Sequence, residues 1–185
     1  MSGDGAGQFT ALVSAFNVID SAGDVVMPGA FTRNLGEWAE SGHRIPVVWN
    51  HKSDDPFAFV GEVLEARETD AGLEVTGQLD LDDPHATKVH GLLKGRRVRG
   101  FSFAYQVKAS RPGERDGRRV NELLDLDVYE VGPTLNPCNR AAELLDVKTE
   151  PNPAEVAIGW VHSLGAAPQL TPAGLARWLT DMETR

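Results

Sequence analysis

Short runs of β-branched and aromatic residues, cut repeatedly by Gly, Pro, Asp and Asn, fill the first 150 residues and constrain the fold more than any other feature. Residues 9–19 read as a strand, followed by the polar turn Asp20-Ser21-Ala22-Gly23-Asp24. Residues 45–49 form another strand, and 59–67 and 73–81 read as a pair joined through Thr69-Asp70-Ala71-Gly72. Residues 98–107 are rich in aromatic and β-branched types, 111–119 carry Pro-Gly and Asp-Gly pairs and read as a long hairpin loop, and 120–131 supply the partner strand. Two helices interrupt this pattern. Residues 32–41 place Leu35 and Trp38 three apart in a polar surround, and a second helix opens with Asp83 as N-cap and Pro84 in the first turn. Its apolar face is Val89, Leu92 and Leu93, and it stops at Gly95. Many strands with few helices predict a mainly β chain of the α+β class, a closed or nearly closed β-barrel with a few helices packed outside.

The character changes at Lys148. Thr149-Glu150-Pro151-Asn152-Pro153 reads as a linker, with short helices expected over 153–162 and over 172–182 after Thr171. The expected organisation is therefore a β domain over 1–147 and a linker with a short helical tail over 148–185. No internal repeat is visible. With 27 acids against 18 bases the net charge is −9, which argues against a general nucleic-acid surface. Cys138 is the single cysteine, so an intramolecular disulfide and a cysteine zinc cluster are both excluded. The opening residues lack a basic region followed by a long apolar run, and no apolar stretch approaches the roughly 20 residues that cross a bilayer. The expectation is a cytoplasmic chain with no membrane and no nucleic-acid partner.

Side chains alternate between the faces of a strand, so parity sorts the residues at three strand ends. Ile45, Val47 and Trp49 lead to His51, which continues an apolar row. Arg99, Phe101, Phe103, Tyr105 and Val107 share one face of the next strand, leaving Ser102 on the other with Val98, Gly100 and Ala104. Those small neighbours leave room for a substrate backbone. Leu124, Leu126 and Val128 lead to Glu130, a carboxylate ending an apolar row and in need of a partner. His51 is the candidate partner. Serine becomes nucleophilic when a base takes its proton, and that base needs an acceptor to set its tautomer. Each residue has a plainer reading too: a histidine in a turn, a small strand residue between two phenylalanines, a glutamate facing solvent.

At these same residues the chain resembles the caudovirus prohead protease family, over about residues 11–147. Asp20-Ser21-Ala22-Gly23-Asp24-Val25-Val26-Met27-Pro28-Gly29-Ala30-Phe31 is similar to that family's opening block. Val48-Trp49-Asn50-His51 is similar to its apolar strand ending in a histidine, and Gly100-Phe101-Ser102-Phe103-Ala104-Tyr105 to its nucleophile motif. Tyr129-Glu130-Val131-Gly132-Pro133 follows its last block, with Gly132-Pro133 where the family has serine and Ala104 where it has glycine. The resemblance implies Ser102 as nucleophile, His51 as general base and Glu130 as third member. It also implies kinship with herpesvirus assemblin, a β-barrel protease. The expected substrates are the scaffolding segment of the major capsid protein and then the protease itself, inside an immature head in the host cytoplasm. No cofactor or metal is implied, and a homo-oligomer stays open. The rival readings are a non-catalytic β-barrel component of the prohead and a hydrolase of some other substrate, such as an ester.

Other residues carry weaker signals. Arg140 lies ten residues beyond Glu130, within range of an oxyanion or of a loop cap. Arg97 and Arg99, in a cluster with Lys94 and Arg96, would face an acidic scaffold segment or complement a helix C-terminus. Asp20 and Asp24 suit an Asx-type turn better than a calcium site, His85 and His90 are mis-spaced for zinc on one helix face, His43 reads as surface, and Cys138 reads as structural.

Overall fold

Eight strands and two helices, β1 (Gln8–Ala15), β2 (Asp24–Val26), α1 (Thr32–Ser41), β3 (Pro46–Val48), β4 (Phe59–Glu68), β5 (Gly72–Leu79), α2 (Pro84–Lys94), β6 (Phe101–Arg115), β7 (Arg118–Pro133) and β8 (Glu143–Val147), follow one another along the chain. This computed structural model describes residues 5–148. They fall within the first of two units, Met1–Thr149 and Glu150–Arg185. The expected linker and tail helices lie outside the described residues. The strands make one mixed sheet ordered β2-β7-β3-β4-β5-β1-β8, with β6 paired to β7. β6 and β7 run antiparallel, and β2 and β3 join β7 in parallel. The sheet is not closed, so the expected closed barrel is not supported. Between β8 and the residue preceding β6 there is a lone bridge, Gly100 to Glu143, in place of a continuous ladder.

Local chemistry opens α2, whereas a distant carboxylate caps α1. The Asp83 carboxylate accepts from the His85 N–H and Pro84 opens α2, as the sequence predicts. In α1 no side chain caps the N-terminus locally. The Glu68 carboxylate at the end of β4 accepts from the N–H groups of Gly29 and Phe31 instead, a cap that no local pattern could reveal. Leu35 and Trp38 are partly buried against the core. Asn34 and Trp38 also grip the peptide groups of Val128, one accepting from its N–H at 2.8 Å and the other donating to its carbonyl at 3.0 Å.

The expected loop over 111–119 is strand almost throughout. β6 continues to Arg115, and Asp116 and Gly117, both with positive φ (52° and 71°), make a two-residue turn into β7. Strands β2 and β8 were not expected either; the first is three residues long and the second five.

The core lies under the aromatic residues. Phe101 packs on Phe9 with ring centroids 5.3 Å apart, and Phe103 meets Phe31 edge-on at 5.3 Å and stacks on Tyr105 at 4.7 Å. Phe101 and Phe103 are buried while Ser102 between them is half-buried, so burial of the two rings turns the serine to the opposite face.

Candidate active site

The strand expected over 45–49 ends one residue early, at Val48. Trp49, Asn50 and His51 form a kinked turn in which Asn50 (φ 52°, ψ 36°) and His51 (φ 58°) are both left-handed. His51 is thus placed by a turn and not by strand alternation, which corrects the reason for expecting it there. Each left-handed residue with a Cβ costs about 1 kcal/mol, less for Asn, whose short polar side chain suits that region. The turn brings the His51 Nδ1 to 2.5 Å from Glu130 Oε1.

Glu130 comes from β7 by the parity the sequence predicts. Leu126, Val128 and Glu130 are buried in alternation, and Tyr129 between the last two is exposed. A bulge falls here: Ala104 pairs with Glu130 and Tyr105 with Val128, which leaves Tyr129 unpaired. The Glu130 side chain is 3% exposed against 34% for His51, so the carboxylate is sequestered and the imidazole reaches solvent. The second Glu130 oxygen, Oε2, has no hydrogen-bond partner among the described residues. Burial at this depth disfavours a carboxylate unless a partner compensates, and His51 is the partner present.

Ser102 pairs with Gly132 across β6 and β7. It shares a cleft of about 350 Å³ with His51, walled by Val13, Val26, Ala104, Asp24 and Asn139. The structure therefore joins His51 to Glu130 directly and opens His51 and Ser102 onto one cavity. Among the described residues no hydrogen bond spans Ser102 and His51. Tyr105 also lines the cleft, and its phenol pKa is pushed up to about 12, first by burial and then by the Asp24 and Asp20 carboxylates and Cys138. Its phenol accordingly stays protonated at neutral pH.

Asp125 and Asp127, the competing acids of β7, are held elsewhere: Arg33 of α1 contacts them at 2.9 Å and 2.5 Å. The weaker candidates disperse. Asp20 makes the Asx turn, its Oδ1 accepting from the N–H groups of Ala22 and Asp24. Arg140 and His43 are exposed, Arg99 pairs with Glu143 at 3.1 Å, His85 contacts Asp83, and His90 contacts the Lys148 carbonyl. Cys138 is exposed and lines the Ser102 cleft, which its position in an Asn-Pro-Cys-Asn turn did not predict. Asn50 and Thr134 were not singled out from sequence either, although Thr134 Oγ1 donates to Asn50 Oδ1 at 2.8 Å beside the histidine.

A buried glutamate bonded to a histidine at the rim of a serine cleft is the setting in which the comparisons with known proteins fall. The model of the caudovirus prohead serine protease family matches residues 1–153. The chain belongs to that family. A prohead protease of Enterobacteria phage HK97 is 33% identical over 154 residues, covering 80% of this chain and 64% of that protein. A capsid polyprotein of Pseudomonas phage PAJU2 is 30% identical over 138 residues, covering 70% of this chain and 19% of the polyprotein. The chain therefore spans less than two thirds of either relative. No solved structure matches.

Two positions where the sequence departs from the family pattern now have a physical setting. Ala104 sits in β6 opposite Glu130. Gly132 lies where a Cβ would overlap the Val48 carbonyl oxygen, so β7 and the end of β3 approach as closely as they do because the residue is glycine. Glu130 keeps its contact with His51 despite the change two residues on.

Proposed function

We propose that this member of the prohead protease family is a serine endopeptidase that trims capsid scaffolding segments, and its own chain, during prohead maturation. The observation that carries the reading is the 2.5 Å bond from His51 Nδ1 to a buried Glu130, with the imidazole opening on the cleft that holds Ser102. Bonding at Nδ1 leaves Nε2 as the atom that faces a nucleophile. His51 takes the Ser102 proton as the oxygen attacks the scissile carbonyl. Glu130 sets the imidazole's orientation and stabilises the imidazolium that forms. Collapse of the tetrahedral intermediate passes the proton to the leaving amine and leaves an acyl group on Ser102 Oγ. Water, deprotonated by His51, then releases that acyl group. Backbone N–H groups beside Ser102 are the donors for the oxyanion.

A capsid protein is the proposed substrate, and the immature head within the host cell the proposed location. A relative of this chain makes up 19% of a protein named a capsid polyprotein, which supports a capsid target. Among the described residues no helix is long and apolar enough to cross a membrane. Co-expression with the phage's own capsid precursor tests the reading. Wild type should shorten the precursor on a gel, and Ser102→Ala should leave it full length. Full processing by the folded Ser102→Ala protein would overturn the proposal.

A further inference from the structure

We infer that Thr134 is a positioning residue that holds the histidine turn against the serine strand; the inference rests on the proposed roles of His51 and Ser102. Two successive left-handed residues with side chains, Asn50 and His51, carry the imidazole toward Glu130. Such a pair does not hold itself, because both Cβ atoms crowd the backbone, so a restraint from outside the turn has to select it. Glu130 restrains the turn at His51, and the side-chain bond that restrains it at Asn50 is from Thr134 Oγ1 to Asn50 Oδ1, at 2.8 Å. Thr134 is 3% exposed, so its hydroxyl has no competing water.

The same residue touches the other half of the site. Its N–H donates to the Gly100 carbonyl at 2.9 Å, two residues before Ser102. Its hydroxyl also accepts from the Asn136 N–H at 3.3 Å, which orients the O–H toward Asn50. One buried threonine thus ties the turn that carries the base to the strand that carries the nucleophile. It stands just beyond Gly132, where β7 passes closely over Val48 and pairs with Ser102. The link sets the separation of His51 and Ser102 without contacting substrate.

The test compares Thr134→Val, which keeps the shape and removes the hydroxyl, with Thr134→Ser, which keeps the hydroxyl. Three readouts are taken on the full chain: fluorophosphonate labelling rate at Ser102, kcat and KM on a capsid-derived peptide, and the low-field proton resonance of the His51 Nδ1–H. Thr134→Val should slow labelling and lower kcat by roughly 10–100-fold with KM within about twofold, the size expected for sub-ångström misplacement of a base. The low-field resonance should broaden or vanish in Thr134→Val and return in Thr134→Ser. A folded Thr134→Val protein with wild-type labelling and an unchanged resonance overturns the inference. If that variant does not fold, Asn50→Ala replaces it, since alanine keeps the Cβ that strains the left-handed backbone and lacks the acceptor; labelling at the wild-type rate then overturns the inference. Absence of labelling in wild type sinks the serine-hydrolase reading, while the resonance still reports whether Thr134 positions His51.

Discussion

At the scale of single residues, the proposed roles predict an uneven division of work. His51→Ala and Ser102→Ala should lose comparable activity, because a serine without its base is inert. Glu130→Gln keeps shape and packing but removes the charge facing the imidazolium, so a loss of roughly 10²–10⁴-fold in kcat is expected, short of the full loss. Cleavage rates of the three variants on one capsid precursor check this order. Asp125→Ala should keep its activity, since Asp125 belongs to the Arg33 cluster and not to the cleft. Near wild-type cleavage by Glu130→Ala would remove it from the site.

Elements contribute through how closely they meet. Gly132 lets β7 lie against the Val48 carbonyl, and the histidine turn starts at the next residue. Gly132→Ala should therefore cost about 1–3 kcal/mol of stability by overpacking, and should slow Ser102 labelling because the turn must shift. A denaturant melt and a labelling assay on the same preparation read both effects. The β6–β7 hairpin has its own electrostatic clasp, with buried Glu122 contacted by Arg111 at 2.6 Å and Arg115 at 2.5 Å. The Arg111 hydrogen bond is the main cause holding the Glu122 carboxyl below the usual carboxylate range, with the Arg115 charge adding to it. A depressed folded-state pKa means that the ionised form favours folding. This contribution is complete above the unfolded carboxylate range and drains away as pH falls through it toward the lower folded value. Glu122→Gln should accordingly flatten the acid limb of a stability-against-pH curve, measured by thermal melts from neutral to acid.

For the whole molecule, β8 is the element that decides where the β unit ends. Leu144 is 2% exposed and its N–H donates to the Arg99 carbonyl at 2.7 Å, while Lys148 donates from its N–H to the Gln8 carbonyl at 2.7 Å. A fragment of residues 1–149 should melt cooperatively and keep Ser102 labelling, whereas one ending at residue 142 should lose both, because β1 would keep β5 but lose its other neighbour, β8, and Leu144 would leave the core. Failure of the 1–149 fragment to fold would place the remaining residues in the same cooperative unit.

Much of this protein is local and therefore legible in its sequence. Asp83-Pro84 opens a helix through its own cap, alternation in β7 delivers Glu130 inward, and paired phenylalanines force Ser102 to the opposite face. Each depends on neighbours in the chain, whose chemistry the sequence states outright. The hairpin showed where that stops, since Pro-Gly and Asp-Gly suggested a loop over 111–119, yet pairing with β7 holds Pro112 and Gly113 in strand and leaves the turn to Asp116 and Gly117. The distant contacts were decided by the tertiary structure alone: Glu68 capping α1, Thr134 reaching Asn50, Gly132 admitting Val48, and a sheet that stays open where a barrel was expected. These join residues far apart in the chain, and their energies depend on distances that no local pattern encodes. His51 shows both causes at once: its neighbours supplied the residue, and the packed fold supplied the left-handed turn that aims it at Glu130.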